Sequence, residues 1–318
     1  MIGVIGAGAF GSALAVAAAA AGRPVLLWGR DPAAMAAAEA ARAVPRLPGI
    51  TLPAEITCTG DLAALSGADA LLLVVPAQQT EHFLRENAHA LPDVPLVLCA
   101  KGIEAKSLRL QTRIAAETAP GHALAALTGP GFAGEIARGL PTALTLACAD
   151  PDMGRSLQEQ LSGPRLRLYL TDDVIGAQVG GALKNVIAIA CGMVEGARLG
   201  ASARAALMTR GFAEMTRLAV AMGARAETLA GLSGLGDLSL TCNSVQSRNF
   251  SEGCAIGSGA VRPGGTVEGV ATARAACELA ARHGVEMPIA AAVADVLDGA
   301  LTLDAAMGAL LARPLKEE

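Results

Sequence analysis

Lys184 is the only charged residue between Ile175 and Val194, in a chain that otherwise draws its positive charge from arginine, 21 times against four lysines. An ammonium buried alone is costly, so it is either paired or holds its proton less tightly. A lysine of that kind serves as general acid or base at neutral pH. The competing reading is a lysine that snorkels to the helix surface, and the residues alone leave both open. Lys101, in Ala-Lys-Gly-Ile-Glu behind the apolar run Leu96–Cys99, is a second cation placed to attract an anion. Asp237, in Gly-Leu-Gly-Asp-Leu, supplies a carboxylate that would orient Lys184, or else simply caps a helix after a glycine turn. Ser247-Arg248-Asn249, in a polar loop, offers a planar pair of donors with a hydroxyl and an amide beside it, the equipment for gripping a phosphate. Thr128-Gly129-Pro130-Gly131-Phe132-Ala133 reads as a turn or as a backbone cradle at a helix start.

The remaining chemistry lies at the N-terminus, where Gly6-Ala7-Gly8-Ala9-Phe10-Gly11 follows the apolar run Ile2–Ile5 and leads into an alanine-rich helical segment. With a second strand at Pro24–Trp28, this is a βαβ unit of about 30 residues carrying a dinucleotide fingerprint. Gly6 turns the chain off its strand, Gly8 lets backbone approach a pyrophosphate, and Gly11 lets the helix pack on the strand.

These groups need a scaffold. Up to about residue 170, short apolar runs alternate with amphipathic ones: Met1–Ile5, Val25–Trp28, Ile56–Thr59, Ala70–Val75, Leu96–Cys99 and Leu124–Leu127, with Thr142–Ala147 and Leu166–Leu170 extending the set. That alternation predicts an α/β doubly wound (Rossmann-type) N-terminal domain over residues 1–171. Beyond Asp172-Asp173, a helix N-cap, strand signals stop. Residues 172–318 then read as an all-α C-terminal domain for substrate and catalysis, its helices broken at Gly196, Gly223, Gly231–Gly236, the polar stretch Thr241–Gly265 and His283–Pro288.

Composition narrows the partners. With 25 basic and 29 acidic residues the net charge is −4, which offers no field for nucleic acid or anionic lipid. Seven scattered cysteines without a C-x-x-C pair read as reduced thiols of a cytoplasmic protein, and four histidines without ligand spacing imply chemistry without a metal. Met1–Ala21 lacks the basic start of a signal peptide. Val174–Val194 approaches a membrane span in length but carries Gln178, Lys184 and Asn185, so it is expected to be a buried helix, without membrane insertion.

Taken in order, the glycine loop, Trp28-Gly29-Arg30-Asp31-Pro32, Val74-Val75-Pro76, Lys101-Gly102-Ile103-Glu104, Gly129-Pro130 with Phe132-Ala133, Gly180 to Val186, Gly234 to Leu238, Gln246 to Asn249 and Val267-Glu268-Gly269 closely resemble one family over the whole chain. It is the bacterial-type NAD(P)-dependent glycerol-3-phosphate dehydrogenases. The resemblance implies reversible reduction of dihydroxyacetone phosphate to sn-glycerol 3-phosphate for glycerophospholipid synthesis, and a homodimer. It makes Lys184 the catalytic proton acceptor in the alcohol-oxidising direction and puts Lys101, Gly129, Gly131, Lys184, Asp237, Ser247, Arg248 and Asn249 at the substrate. Cofactor contacts fall on Gly6, Gly8, Ala9, Phe10, Gly11, Arg30, Lys101, Ala133, Arg248, Val267 and Glu268, with Asn185 and Thr241 beside the site. Three positions depart from the pattern: Gly131 stands where Ser or Thr is usual, Ala9 where Ser is common, and Asn249–Val267 is shorter than the family's segment.

Arg30 ends the second strand, where an NAD-selective enzyme places an acidic residue, and Asp31-Pro32 reads as the cap and first residue of the next helix. NADP(H) is therefore the expected cofactor, ahead of NAD(H). Two other functions share the scaffold: a related 3-hydroxy-acid dehydrogenase, which would not need Ser247-Arg248-Asn249, and a dinucleotide sensor, which would not need Lys184.

Overall fold

The computed structural model describes residues 1–312. By its internal contacts the chain forms two units, Met1–Lys101 with Arg109–Gln178, and Gly102–Leu108 with the chain from Val179 on. The last of its three crossings from one to the other falls inside the helix Val174–Gly196.

The first unit is built on one sheet of β1 (Ile2–Ile5), β2 (Val25–Trp28), β3 (Ile56–Thr59), β4 (Ala70–Leu73), β5 (Leu96–Leu98), β6 (Leu124–Thr128), β7 (Thr142–Ala147) and β8 (Leu166–Thr171). Their order is β3-β2-β1-β4-β5-β6-β7-β8. All neighbours are parallel except β6 and β7. Side chains alternate along each strand, so the sheet carries a core on either face. Ile2, Val4, Val25, Leu27, Leu72 and Val97 join one, while Ile5, Leu26, Leu71, Leu73, Leu96 and Leu98 join the other. Burial on both faces is why the central strands read as unbroken apolar runs. The edge strand β3 and the first four residues of β8 instead alternate buried positions with exposed or half-buried ones.

Two strands end earlier than their apolar runs. β4 stops at Leu73 because Val74, still bonded through its N–H to the Ile5 carbonyl, lies against the glycine loop. A Cβ at Gly6, whose φ is +120°, would come 2.6 Å from the Val74 oxygen. β5 likewise closes at Leu98, one residue short of Cys99.

In the second unit the regular elements among the described residues are all helices, with no strand after β8. Asp173 caps the long helix as expected, its Oδ1 accepting from the Gly176 N–H at 2.8 Å. Every residue from Gly176 to Met193 is buried, so the apolar span is a core helix. The polar stretch Thr241–Gly265 is where the expectation fails, because it contains the helix Arg248–Ser258. Its glycines are packing surfaces here. A Cβ on Gly253 would stand 2.0 Å from the Ile189 oxygen, and one on Gly192 would stand 2.1 Å from the Phe250 oxygen. With Gly196 and Gly257 these form two small-residue pairs four apart, letting two helix backbones touch. Composition reads such a segment as a loop; the partner helix makes it a helix.

Candidate active site

In the first unit the relevant groups gather at the carboxyl ends of β1, β2, β5 and β6, and the order β3-β2-β1-β4-β5-β6 places its reversal between β1 and β4. Gly6 leaves β1, and Gly8 is the N-cap of the helix Ala9–Ala20 without any side-chain cap. That helix has no acidic residue in its first turn, so the N–H groups of Ala9, Phe10 and Gly11 face an anion's charge with no carboxylate in competition. A Cβ at Gly11 would lie 2.0 Å from the Gly6 oxygen, which explains the third glycine. The loop geometry therefore fits the pyrophosphate of a dinucleotide.

Lys101 extends from the end of β5, and its Nζ donates to the Gly129 carbonyl at 2.8 Å while lying 5.8 Å from the Phe10 ring centre. The lysine thereby links the glycine loop to the turn after β6, where Gly129 has a φ of +126°. Gly131 sits against the Ile136 side chain, 3.0 Å from where a Cβ would be, and Ala133 begins a short helix. Burial pushes the neighbouring Cys99 thiol up to about 12, so it stays protonated. Arg30 is exposed behind β2 and donates no hydrogen bond within the described residues. Asp31 is committed elsewhere: its Oδ1 accepts from Ala33 and Ala34 N–H at 3.0 and 3.1 Å, with Pro32 at the first helical position.

In the second unit Lys184 and Asp237 meet inside the protein, Nζ to Oδ1 at 3.1 Å, with side chains 9% and 2% exposed. Lys184 also donates to Thr241 Oγ1 at 2.8 Å, and that hydroxyl donates to the Asp237 carbonyl at 2.6 Å. Asp237 and Thr241 are four apart on the helix Asp237–Cys242, hence on one face. A π-helical turn, Leu232–Gly236, feeds that helix and packs on the long one, where a Cβ at Gly180 would be 2.6 Å from the Ser233 oxygen. Lys184 is thus a paired and oriented ammonium, and the snorkelling alternative falls. Behind it, a hydrogen bond with Cys191 and burial hold the Cys242 thiol well above its ordinary range, so Cys242 stays protonated.

Ser247 and Arg248 are the cap and first residue of the helix Arg248–Ser258, not parts of a loop; Ser247 Oγ accepts from the Phe250 N–H at 3.2 Å. Asn249 is buried and uses both ends of its carboxamide. Its Nδ2 donates to Asn185 Oδ1 at 2.8 Å, and its Oδ1 accepts from the Gly269 N–H at 2.9 Å. It therefore caps, from outside, the helix that begins at Glu268, whose own N-cap residue Val267 offers no side-chain bond. Asn185 thus bonds to Asn249, as Thr241 does to Lys184 and Asp237. The family resemblance sets both beside the site, and the sequence around them could have pointed there too, by the spacing of four between Asp237 and Thr241 and by the adjacency of Asn185 to Lys184.

Comparison with known proteins identifies the family. Residues 1–154 match the family model for the NAD-dependent glycerol-3-phosphate dehydrogenase N-terminus, and residues 173–308 match that for its C-terminus. The chain is 55% identical over 322 aligned positions to the glycerol-3-phosphate dehydrogenase [NAD(P)+] of Cereibacter sphaeroides, covering 100% of both. It is 52% identical to the corresponding protein of Parvibaculum lavamentivorans, covering 100% of this chain and 98% of that one. The crystal structure of glycerol-3-phosphate dehydrogenase from Coxiella burnetii superimposes with a TM-score of 0.93 at 36% identity, over 98% of each chain.

Proposed function

The chain belongs to the NAD-dependent glycerol-3-phosphate dehydrogenase family, and from that premise we propose that it reduces dihydroxyacetone phosphate to sn-glycerol 3-phosphate for glycerophospholipid synthesis. The observation that carries this reading is the buried set Lys184, Asp237 and Thr241. When bound, the nicotinamide cofactor supplies the hydride. The chain's own residues do the rest. Lys184 Nζ delivers a proton to the ketone oxygen as charge develops there, and takes it back in the reverse direction. Asp237 and Thr241 fix the ammonium's position. Arg248 and Ser247, with Asn249 holding their helix in place, are assigned to the substrate phosphate, and Lys101, Gly129 and Gly131 keep the substrate-site role that the family resemblance gives them. In this reading residues 1–171 hold the dinucleotide and residues 172–318 supply the catalytic groups.

The test is turnover with dihydroxyacetone phosphate against dihydroxyacetone, followed by nicotinamide absorbance. Phosphate binding energy orients the carbonyl, so only the phosphorylated ketone is expected to react well. Equal rates would remove the phosphate assignment, and activity on 3-hydroxy acids instead would move the chain to the rival dehydrogenase reading.

The end of β2 supports a reading of cofactor choice. With Asp31 engaged in capping and Arg30 exposed, the turn favours a 2′-phosphate, and NADPH is expected to be used ahead of NADH. Arg30→Ala should then raise KM for NADPH roughly tenfold, the loss of one charge-assisted contact, with KM for NADH little changed. A native preference for NADH would overturn this. A homodimer in the cytoplasm completes the proposal: the second unit exposes Leu199, Val220 and Leu235, and all seven cysteines are free. Sedimentation equilibrium would test the dimer.

A further inference from the structure

Arg248 and Glu252 stand four residues apart on one helix, the spacing at which arginine and glutamate pair. This chain makes that pair elsewhere, between Arg113 and Glu117 in the same order and between Glu81 and Arg85 in the reverse one. At Arg248 it does not. Arg248 is exposed and donates no hydrogen bond within the described residues. Glu252 is 3% exposed and is held at Oε1 by Arg262 Nε, while its Oε2 is buried without a partner. Arg262 reaches it because Gly259, with a φ of +70°, ends the helix and turns the chain back.

A buried carboxylate with one unsatisfied oxygen takes up any cation its geometry allows. The cation one turn away is Arg248. We propose that Arg262 is a positioning residue: by occupying Glu252, it keeps the Arg248 guanidinium from folding back along its own helix and leaves it available to the substrate phosphate. This rests on the assignment of Arg248 to that phosphate in the proposed function.

The experiment compares KM for dihydroxyacetone phosphate, KM for NADPH and kcat in the full-length enzyme and its variants. In Arg262→Ala, capture of Arg248 by Glu252 should raise KM for dihydroxyacetone phosphate about tenfold, as for loss of a ground-state contact, with kcat within about twofold. Removing the captor should cure the defect, so Arg262→Ala/Glu252→Leu is expected to return close to the native KM. Arg262→Lys, which still neutralises Glu252, should behave as native. If Arg262→Ala does not fold, Arg262→Gln makes the same comparison. An unchanged KM in the single variant overturns the inference, and so does a raised KM that the second substitution leaves in place, since that is the mark of a merely structural tie. A native protein that fails to turn over dihydroxyacetone phosphate overturns the functional reading, and this inference with it.

Discussion

Replacing Lys184 with alanine is expected to lower kcat by ~10²–10⁴-fold, the range for losing a positioned general acid or base. The ammonium sits between Asp237 and Thr241, and no other lysine lies in the helix Val174–Gly196. In the variant the developing alkoxide would have to take its proton from water, which arrives unoriented. KM for the phosphorylated ketone should change far less, because Arg248 and Ser247 remain. Circular dichroism must show the variant folded at the assay temperature, and a small primary amine added to the buffer should restore part of kcat. Near-native turnover in a folded Lys184→Ala protein would remove this residue from the mechanism.

Asp237→Ala should be the most destabilising single change in the site. It strips the partner from an ammonium whose side chain is 9% exposed, and breaking a buried pair from one side costs about 3–5 kcal/mol. Thr241 loses only its longer contact with Asp237 Oδ1, at 3.3 Å, since its hydroxyl donates at 2.6 Å to the backbone carbonyl of residue 237, which survives. Urea unfolding of the native protein, Asp237→Ala and the doubly apolar Lys184→Met/Asp237→Leu separates the contributions. The double variant is expected to recover most of the stability while remaining inactive, because two apolar side chains replace the pair without an orphaned charge. If Asp237→Ala melts like the native protein, the pair does not hold the lysine in place, and its orienting role must pass to Thr241.

The two halves of the chain were not equally legible. In the first, local signals and final structure coincide: a parallel strand buried on both faces must be an apolar run, and a helix that receives a pyrophosphate must open on glycines. The Asp31 cap could be read from Asp-Pro for the same reason, since both its hydrogen bonds stay within three residues. Strand ends at Leu73 and Leu98 could not, because there the neighbouring glycine loop and the adjoining turns, not the apolar run, decide where pairing stops.

In the second half, residue types announced a lysine, a carboxylate and an arginine but not their relations. That Lys184 is paired at all depends on Asp237 and Thr241, 53 and 57 positions away, and a charge in an apolar helix looks the same whether it finds a partner or reaches solvent. The segment around Arg248 is polar and rich in glycine, which locally favours a loop. It becomes a helix because Gly253 and Gly257 allow its backbone to touch that of Gly192 and Gly196, a gain that exists only once the partner helix is in place. Asn249 shows the same limit: its amide suits a phosphate by type, yet in the fold it ties Asn185 to Gly269. The sequence by itself determined the glycine loop between β1 and its helix and the kinds of charged groups available, because those depend on neighbours along the chain. Only the tertiary structure decided which cation is paired, which is open and which carboxylate holds which, because a buried charge takes its partner from whatever distant segment the packing brings within 3 Å or so.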